Sequence, residues 1–317
     1  MCVRPADNLH LSSRADREIP NEYPLRFASF LHQGRDSFGA VLGDSIVRLS
    51  PAWADRFPDL RSLLGTASIP SEAILASEQR LDAKDIHFRP VIPNPSKIIC
   101  VGLNYRDHIG ETGRQSSPYP VLFLRLPSSQ VGHLEPLVRP HVSTQFDYEG
   151  ELAVVIGKPG RYIPRAQALQ HVAGYSIYNE ASIRDWQKHT HQYTAGKNFP
   201  GTGAFGPWLV TADEIPDPGV LELTTRLNGQ VMQQGRVADL IFPIDELIAY
   251  ISSITELVPG DVLLTGTPSG VGGLRKPPVW MQPGDLVEIE ISGIGVLRNP
   301  VVQEPDPTRS ATGENPR

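Results

Sequence analysis

The chain has 317 residues, 40% hydrophobic and 20% charged, which is the composition of an ordinary globular protein with enough material for a large core. Its 30 prolines and 28 glycines favour a β-rich, turn-rich fold over a helix bundle. The formal charge is -6, and no basic block suggests a nucleic-acid or acidic-lipid surface.

The first 21 residues are polar and lack the apolar region of a secretory signal. No run of 18 apolar residues predicts a transmembrane helix. The two cysteines, Cys2 and Cys100, are too few for a disulfide framework or a thiolate metal site. We therefore expect a cytoplasmic protein whose residues 1–22 form a loosely ordered arm.

The N-terminal third predicts a small domain. Strand patterns punctuated by Gly and Asp occur at 25–30, 38–43 and 45–49, as in a small meander. Residues 51–92 mix short helical patterns with turns. The proline-rich stretch 90–95 is a stiff linker, so we predict a domain over residues 1–94.

Beyond Lys97, strand patterns alternate with turn signals. Asn228-Gly229 stands between two strand patterns and predicts a hairpin. Apolar residues at helical spacing predict a helix over 244–254 with one buried stripe. Pro-Gly-Asp at 259–261 and 283–285 predicts a type II turn ahead of a strand. The polar tail 304–317 is predicted to be disordered.

Two alternating glutamates, Glu149 and Glu151, precede the apolar run 152–156. On a strand, residues two apart point to the same face. Two neighbouring carboxylates repel each other and lose hydration, so we expect a cation between them, and a divalent metal is the obvious candidate. By themselves these residues fit a metal-binding pair and a glutamate pair on the solvent face of a half-buried strand about equally well.

A third acid, Glu180, lies in a segment that we interpret as a helix start capped by Asn179 or its neighbour. On that helix Glu180, Arg184, Gln187 and His191 share one face. A solvated polar face is the somewhat better-supported alternative for this segment alone.

Two further patterns are compatible with catalysis. His108 and Glu111 are adjacent on one helical turn of a possible lid, where the carboxylate would hold one imidazole nitrogen and leave the other free to take a proton. The glycine-rich loop 265–273 follows an apolar strand, and its N–H groups are candidates to cradle an anion or enolate oxygen. Taken alone, a surface pair and a tight turn explain these patterns better, and Lys197 in its own loop is equally ambiguous.

Six segments, taken together and in order, resemble the fumarylacetoacetate hydrolase family. They are VGLNY at 101–105, DYEGEL at 147–152, Gly174-Tyr175 through RDWQ at 184–187, GKNF at 196–199, TGTPSGVG at 265–272 and GIGVLRNP at 293–300. The resemblance covers roughly residues 95–303. It implies an α+β, β-rich fold, with a mixed β-roll or flattened β-barrel-like catalytic domain behind the small N-terminal domain. The family usually assembles as a homodimer.

The resemblance also implies the site residues. The metal, Mg²⁺ or Mn²⁺ with Ca²⁺ as a further option, would be held by Glu149, Glu151 and Glu180. The catalytic residues would be His108, Glu111, Lys197 and Gln187. The substrate-binding residues would be Arg125, Arg184, Thr267 and Tyr105.

The chain departs from the family at two of these positions. Many members have Asp where this chain has Glu180, so the third ligand is one methylene longer. Many also have Lys-Pro where this chain has Arg125-Leu126, and arginine offers a carboxylate a bidentate fork. A surface arginine at a strand end is the alternative.

The function implied is a metal-dependent hydrolase that cleaves a carbon–carbon bond in a β-diketo acid such as an acylpyruvate, through a metal-stabilised enolate. An oxo-acid decarboxylase, isomerase or hydratase is the alternative within the family, and a non-catalytic metal or oxo-acid binding protein is a third. The stretch 127–142 is a candidate for the pocket or for a subunit contact.

Overall fold

The computed structural model describes residues 25–306 except 67–73, 75, 76, 78, 114 and 116. The predicted arm at 1–22 lies outside the described residues, as does the predicted tail beyond residue 306. Within the described ranges no helix is long and apolar enough to cross a bilayer.

Strands dominate the described part of the chain. In order they are β1 Arg26–His32, β2 Arg35–Leu42, β3 Ser45–Arg48, β4 Arg80–Asp82, β5 His87–Phe88, β6 Ile98–Gly102, β7 Val121–Arg125, β8 Gln130–Val131, β9 Leu137–Arg139, β10 Phe146–Asp147, β11 Gly150–Ile156, β12 Val172–Glu180, β13 Ser182–Ile183, β14 Gly203–Thr211, β15 Glu222–Leu227, β16 Gln230–Arg236, β17 Val262–Leu264, β18 Leu286–Ile291 and β19 Gly295–Gln303.

The α-helices of the described ranges are short. They are α1 Pro51–Arg56, α2 Leu60–Leu64, α3 Arg106–Thr112, α4 Arg184–Gln187, α5 Thr194–Lys197 and α6 Ile244–Ile254. Helix α6 has the bounds that its apolar spacing predicts, and Ile244, Leu247, Ile248 and Ile251 are buried. The last residue of the predicted stripe, Ile254, is exposed at the helix end.

The strands form one large sheet and a smaller one. The large sheet runs β4-β3-β2-β1-β14-β12-β11-β17-β6-β7, with β5 beside β1 and β8 beside β14. The smaller sheet runs β16-β15-β18-β19-β9, and β10 pairs with β13. The β-rich α+β prediction is confirmed, and the described strands form no closed barrel. The N-terminal strands belong to the large sheet, because β1 pairs with β14.

Turn chemistry sets the smaller sheet. The predicted hairpin at Asn228-Gly229 is confirmed, since β15 and β16 pair antiparallel around it. Both Pro-Gly-Asp segments precede a strand, as predicted, and Gly260 and Gly284 have φ of +81° and +96°. A type II turn needs this left-handed conformation at its second central residue.

The core lies on both faces of the large sheet. One face packs Val154 and Ile177 with Leu223 and Ile289 of the smaller sheet. The opposite face packs Val155 with helix α2 residues such as Leu60. Strand β11 is therefore buried along its whole length, which explains its continuous apolar run. The acidic motif lies at the start of this buried strand.

Candidate active site

Glu149, Glu151 and Glu180 meet at one end of the large sheet. Glu149 immediately precedes β11 and Glu151 is its second residue, so both point to one face. Strand β12 runs antiparallel to β11 and ends at Glu180, whose N–H donates to the Glu149 carbonyl at 2.8 Å. One carboxylate oxygen of each glutamate lies within 4.8 Å of the others, and all three residues are buried.

The predicted helix starting near Asn179 is wrong. Asn179 and Glu180 are the last residues of strand β12, and α4 covers only Arg184–Gln187. The shared helical face of Glu180, Arg184, Gln187 and His191 therefore does not exist. Sheet pairing prevails because Asn179 gains ladder partners on β11 and β14, and Glu180 gains one on β14. Arg184, Gln187 and His191 nevertheless line the same pocket as Glu180.

Two cations bond directly to Glu149. Lys197, at the end of α5 and 1% exposed, donates to Glu149 Oε2 at 2.7 Å and also to Glu180 Oε2. The Arg184 guanidinium lies 2.6 Å from Glu149 Oε1 through Nη1. Its Nε donates to Asp147 at 2.7 Å, and its Nη1 donates to Gln187 Oε1 at 3.0 Å.

The three carboxylates differ in charge preference. Burial opposes ionisation of Glu149, but Arg184 and Lys197 together hold its pKa below the usual range. Burial and the neighbouring Glu180 and Glu149 raise the pKa of Glu151 well above its usual value. Burial likewise raises the pKa of Glu180, although Lys197 acts against it. Glu151 is thus the acid whose negative charge is least compensated.

The predicted pair of His108 and Glu111 exists on α3. His108 Nδ1 and Glu111 Oε2 are 3.2 Å apart, and His108 is largely buried while lining the pocket. Glu111 also accepts the Gly270 N–H at 3.1 Å. The carboxylate therefore ties the helix to the glycine-rich loop and holds one imidazole nitrogen.

The glycine-rich loop does cradle anions, and they are carboxylates of the chain itself. Gly266 N–H donates to Glu151 at 2.8 Å. Gly272 and Gly273 N–H donate to Asp147 at 2.8 and 2.9 Å. These N–H groups fix the acidic residues.

Most of the predicted site residues line one pocket of about 500 Å³. They are His108, Glu149, Glu151, Glu180, Arg184, Gln187, Lys197 and Thr267. The Thr267 hydroxyl donates to the Gly150 carbonyl at 2.9 Å and accepts from Gln233 at 2.8 Å. Its role as a substrate ligand stays a prediction.

Three predicted residues stand behind the pocket wall. Glu111 reaches the pocket through His108. Tyr105 is 1% exposed at the start of α3, and Arg125 is 2% exposed and bonded to Glu180 at 2.8 Å. Neither Tyr105 nor Arg125 lines the pocket. The stretch 127–142 does not line it either. A subunit contact at this stretch stays a prediction.

Asp147 is a buried acid beside the site that the sequence patterns did not single out. Its carboxylate is fully buried and accepts from Arg184 and two loop N–H groups. It stands two residues before Glu149, so the alternation that marks Glu149 and Glu151 also marks Asp147. The difference is that Glu149 and Glu151 line the pocket and Asp147 does not.

The donor set fits a hard divalent cation. Three carboxylates converge with oxygen donors only, which suits Mg²⁺, Mn²⁺ or Ca²⁺. Among the described contacts, Glu151 is bonded to the Gly266 N–H and to no cationic side chain. A buried carboxylate in that position calls for a positive charge.

Comparison with known proteins agrees with this geometry. Residues 97–302 match the family model for the C-terminal region of fumarylacetoacetate (FAA) hydrolase. The chain belongs to the fumarylacetoacetate hydrolase family. This confirms the resemblance drawn from the six sequence segments.

Three relatives place the chain within the family. The chain is 41% identical over 239 residues to the Homo sapiens protein named oxaloacetate tautomerase FAHD2A, mitochondrial, covering 75% of this chain and 76% of that one. It is 40% identical over 314 residues to the Xenopus laevis oxaloacetate tautomerase fahd2, mitochondrial, covering 95% and 98%. The solved structure of fumarylacetoacetate hydrolase from Exiguobacterium antarcticum is 34% identical with a TM-score of 0.77, covering 88% and 100%.

Proposed function

We propose that this family member is a divalent-metal-dependent enzyme that interconverts the keto and enol forms of a small 2-oxo acid of the oxaloacetate type. The observation that carries the proposal is that the carboxylate cluster and His108, held by Glu111, line one pocket. The names of the human and frog relatives support this reaction over hydrolysis.

Glu149, Glu151 and Glu180 would hold the cation. When bound, it would act as a Lewis acid on substrate oxygens and stabilise negative charge that develops on them. The pocket lining carries these three carboxylates and three basic side chains, Arg184, Lys188 and Lys197. The cation would offset the charge of Glu151, which bonds to no cationic side chain in the described contacts.

His108 is the proposed proton carrier. Glu111 holds Nδ1 of His108, which leaves the second ring nitrogen free. That nitrogen would take the proton from the carbon beside the oxo group. In enolisation that C–H bond breaks and an O–H bond forms, and the reverse reaction returns the proton to carbon. No water is consumed, so helix α3 needs to supply only one acid–base group, His108.

Gln187 is the proposed hydrogen-bond donor to a substrate oxygen. Lys197 already donates to Glu149 Oε2 and to the carboxylate and the carbonyl of Glu180, so we propose that it acts on the substrate through its charge. Both line the pocket beside the carboxylates. Lys197 is charged in this setting: burial disfavours the ammonium, but Glu149 and Glu180 raise the pKa of Lys197 above its ordinary value. A fixed positive charge next to a developing enolate oxygen stabilises it.

Carbon–carbon hydrolysis of an acylpyruvate is the second candidate. A pocket of about 500 Å³ is within the range of sites for drug-sized ligands and has room for an acyl group beyond a four-carbon acid. The similarity to the Exiguobacterium hydrolase supports it as well. In that reaction His108 would take a proton from water instead of carbon.

One assay separates the candidates. Freshly dissolved enol-oxaloacetate is followed by the loss of enol absorbance with Mg²⁺, Mn²⁺ or EDTA, against a blank without protein. Pyruvate release is measured in parallel from oxaloacetate and from an acylpyruvate. Metal-dependent enol loss without pyruvate supports the tautomerase, whereas enol loss at the blank rate with either metal overturns it. Pyruvate release from the acylpyruvate but not from oxaloacetate supports the hydrolase.

We also propose that the protein is a homodimer. Strand β7 ends the described path of the large sheet, and Leu124 and Leu126 are more than half exposed at this edge. Light scattering should give twice the chain mass of 34.8 kDa. Leu124→Asp should shift the mass toward one chain. A single-chain mass for the unmodified protein at micromolar concentration would refute the dimer.

A cytoplasmic location stays a prediction. The names of the human and frog relatives include the word mitochondrial, which applies to those proteins. Fractionation of cells that express the full chain decides the compartment. Recovery in a membrane-bounded organelle would show the prediction to be wrong.

A further inference from the structure

Arg125 is held by every nitrogen of its guanidinium. Nη1 donates to Glu180 Oε1 at 2.8 Å and to the Ala181 carbonyl at 3.0 Å. Nη2 donates to Thr202 Oγ1 at 2.8 Å, and Nε donates to Ser129 Oγ at 3.3 Å. A fork tied at four points has one orientation and presents Glu180 with a fixed donor.

The surrounding residues leave space for this fork. A Cβ on residue 203, which is Gly203, would lie 2.9 Å from Arg125 Nη2 and 2.5 Å from the Tyr178 hydroxyl. Any larger side chain there would displace the guanidinium. The Tyr178 ring lies 5.9 Å from the Arg125 guanidinium carbon. The sequence thus provides a built socket for arginine behind Glu180.

The two oxygens of Glu180 have different cationic partners. Oε1 accepts from Arg125 and Oε2 accepts from Lys197. Lys197 lines the pocket, but Arg125 does not. The arginine therefore acts on the carboxylate from the side away from the substrate.

We propose that Arg125 is a positioning residue that fixes the Glu180 carboxylate as a metal ligand. This inference rests on the proposed metal site. It replaces the expectation that Arg125 binds substrate, because four of its five N–H donors bond within the protein and it lies outside the pocket lining. Ordering a glutamate side chain costs rotamer entropy. Because the bonds from Arg125 already order Glu180 in the metal-free protein, metal binding does not have to supply that free energy.

Arg125→Lys is the decisive variant because it keeps the positive charge and removes the fork. Titration calorimetry with MnCl₂ on chelator-treated protein should show metal binding weakened by about 10-fold or more. Lys97→Met is the matched control: Lys97 pairs at 2.8 Å with the fully buried Asp261, next to the far end of β11 from the site. It should lower stability and leave Mn²⁺ affinity unchanged. Equal Mn²⁺ affinity in wild type and Arg125→Lys would overturn the inference.

Thr202→Val tests the same idea without touching either charge. It removes the acceptor of Nη2, and we expect Mn²⁺ affinity to fall by a smaller factor, about threefold. Unchanged affinity in both Thr202→Val and Arg125→Lys refutes the positioning role even if one variant is less stable.

The double variant Arg125→Lys with Glu180→Asp tests whether Arg125 acts through Glu180. Mn²⁺ affinity should be within about threefold of the weaker single variant, since both changes disturb one ligand. If the fold-loss of Mn²⁺ affinity in the double variant equals the product of the two single-variant losses, the inference is overturned. The failure modes are separate: wild type that binds Mn²⁺ without tautomerase activity refutes the proposed reaction alone, and wild type that binds no Mn²⁺ refutes the metal site and this inference together.

Discussion

Glu180, the last residue of β12, lies beside Glu149, the residue before β11, and its N–H donates to the Glu149 carbonyl at 2.8 Å. Like charges directly opposite on neighbouring strands destabilise a sheet. Lys197 offsets this cost because its ammonium bonds to both carboxylates. The lysine therefore has a structural role that does not depend on substrate.

Lys197→Met should destabilise the metal-free protein by about 3–5 kcal/mol, because it leaves buried carboxylates without their shared cation. Urea unfolding in EDTA measures the change. Lys188→Met is the matched control, since Lys188 is exposed at the same pocket, and it should change stability by less than about 0.5 kcal/mol. Equal effects of the two variants would contradict a shared structural cation.

Glu151→Gln and Glu149→Gln should change metal-free stability in opposite directions at pH 8. Burial, Glu180 and Glu149 raise the folded pKa of Glu151, so its stabilising contribution is complete at low pH and is lost as pH rises through the folded pKa. Glu149 has a lowered folded pKa despite burial, because of Arg184 and Lys197, so its contribution is complete above the unfolded pKa.

At pH 8 in EDTA we therefore expect Glu151→Gln to raise the free energy of unfolding and Glu149→Gln to lower it. Each change should be at least about 1.4 kcal/mol, the equivalent of one pKa unit. Both variants should lose Mn²⁺ affinity. The same sign of stability change in the two variants would show that the charge assignment is wrong.

The placement of Glu149 and Glu151 side by side was predictable from the sequence, because a two-residue period is a local property of one strand. The strand at Glu180 was missed for the opposite reason. Its sequence has helical spacing of polar groups, and only the register with Glu149 and the ladder to β14 decide between helix and strand. Long-range pairing of this kind cannot be read from local spacing.

Arg125 shows the same limit at the level of a side chain. Its position at a strand end is visible in the sequence, but the direction of its guanidinium depends on Thr202 and Gly203, which are distant along the chain. The N–H groups of the glycine-rich loop were candidates to cradle an anion, and in the structure they donate to the carboxylates of Glu151, Glu111 and Asp147. Donor geometry was predictable, whereas the identity of the acceptor required the fold.

Glu111→Gln should reduce turnover by about 10²-fold or more, because the amide no longer supplies the charge that orients and supports His108. The amide oxygen can still accept from Gly270, so the loop contact is largely kept. Asp107→Asn is the control on the same helix, since Asp107 contacts Ser269 of the same loop and does not line the pocket. Initial rates of enol loss with saturating Mn²⁺ measure both variants. A loss in Asp107→Asn equal to that in Glu111→Gln would indicate helix positioning in place of acid–base support.

We expect the free energy of unfolding to fall as the pH decreases from 6.5 to 4, because of His133. Burial, and to a lesser extent Arg298, lower the pKa of His133 from 6.5 to about 4, and its Nδ1 accepts the Arg298 N–H at 3.1 Å. The unfolded chain thus binds more protons in this window, so stability falls as pH decreases through it, by at most about 3.4 kcal/mol. His133→Asn keeps an acceptor without titrating and should flatten the urea midpoint between these pH values. The exposed His87→Gln should leave the pH dependence as in wild type, and an unchanged slope in His133→Asn would assign the acid sensitivity to other groups.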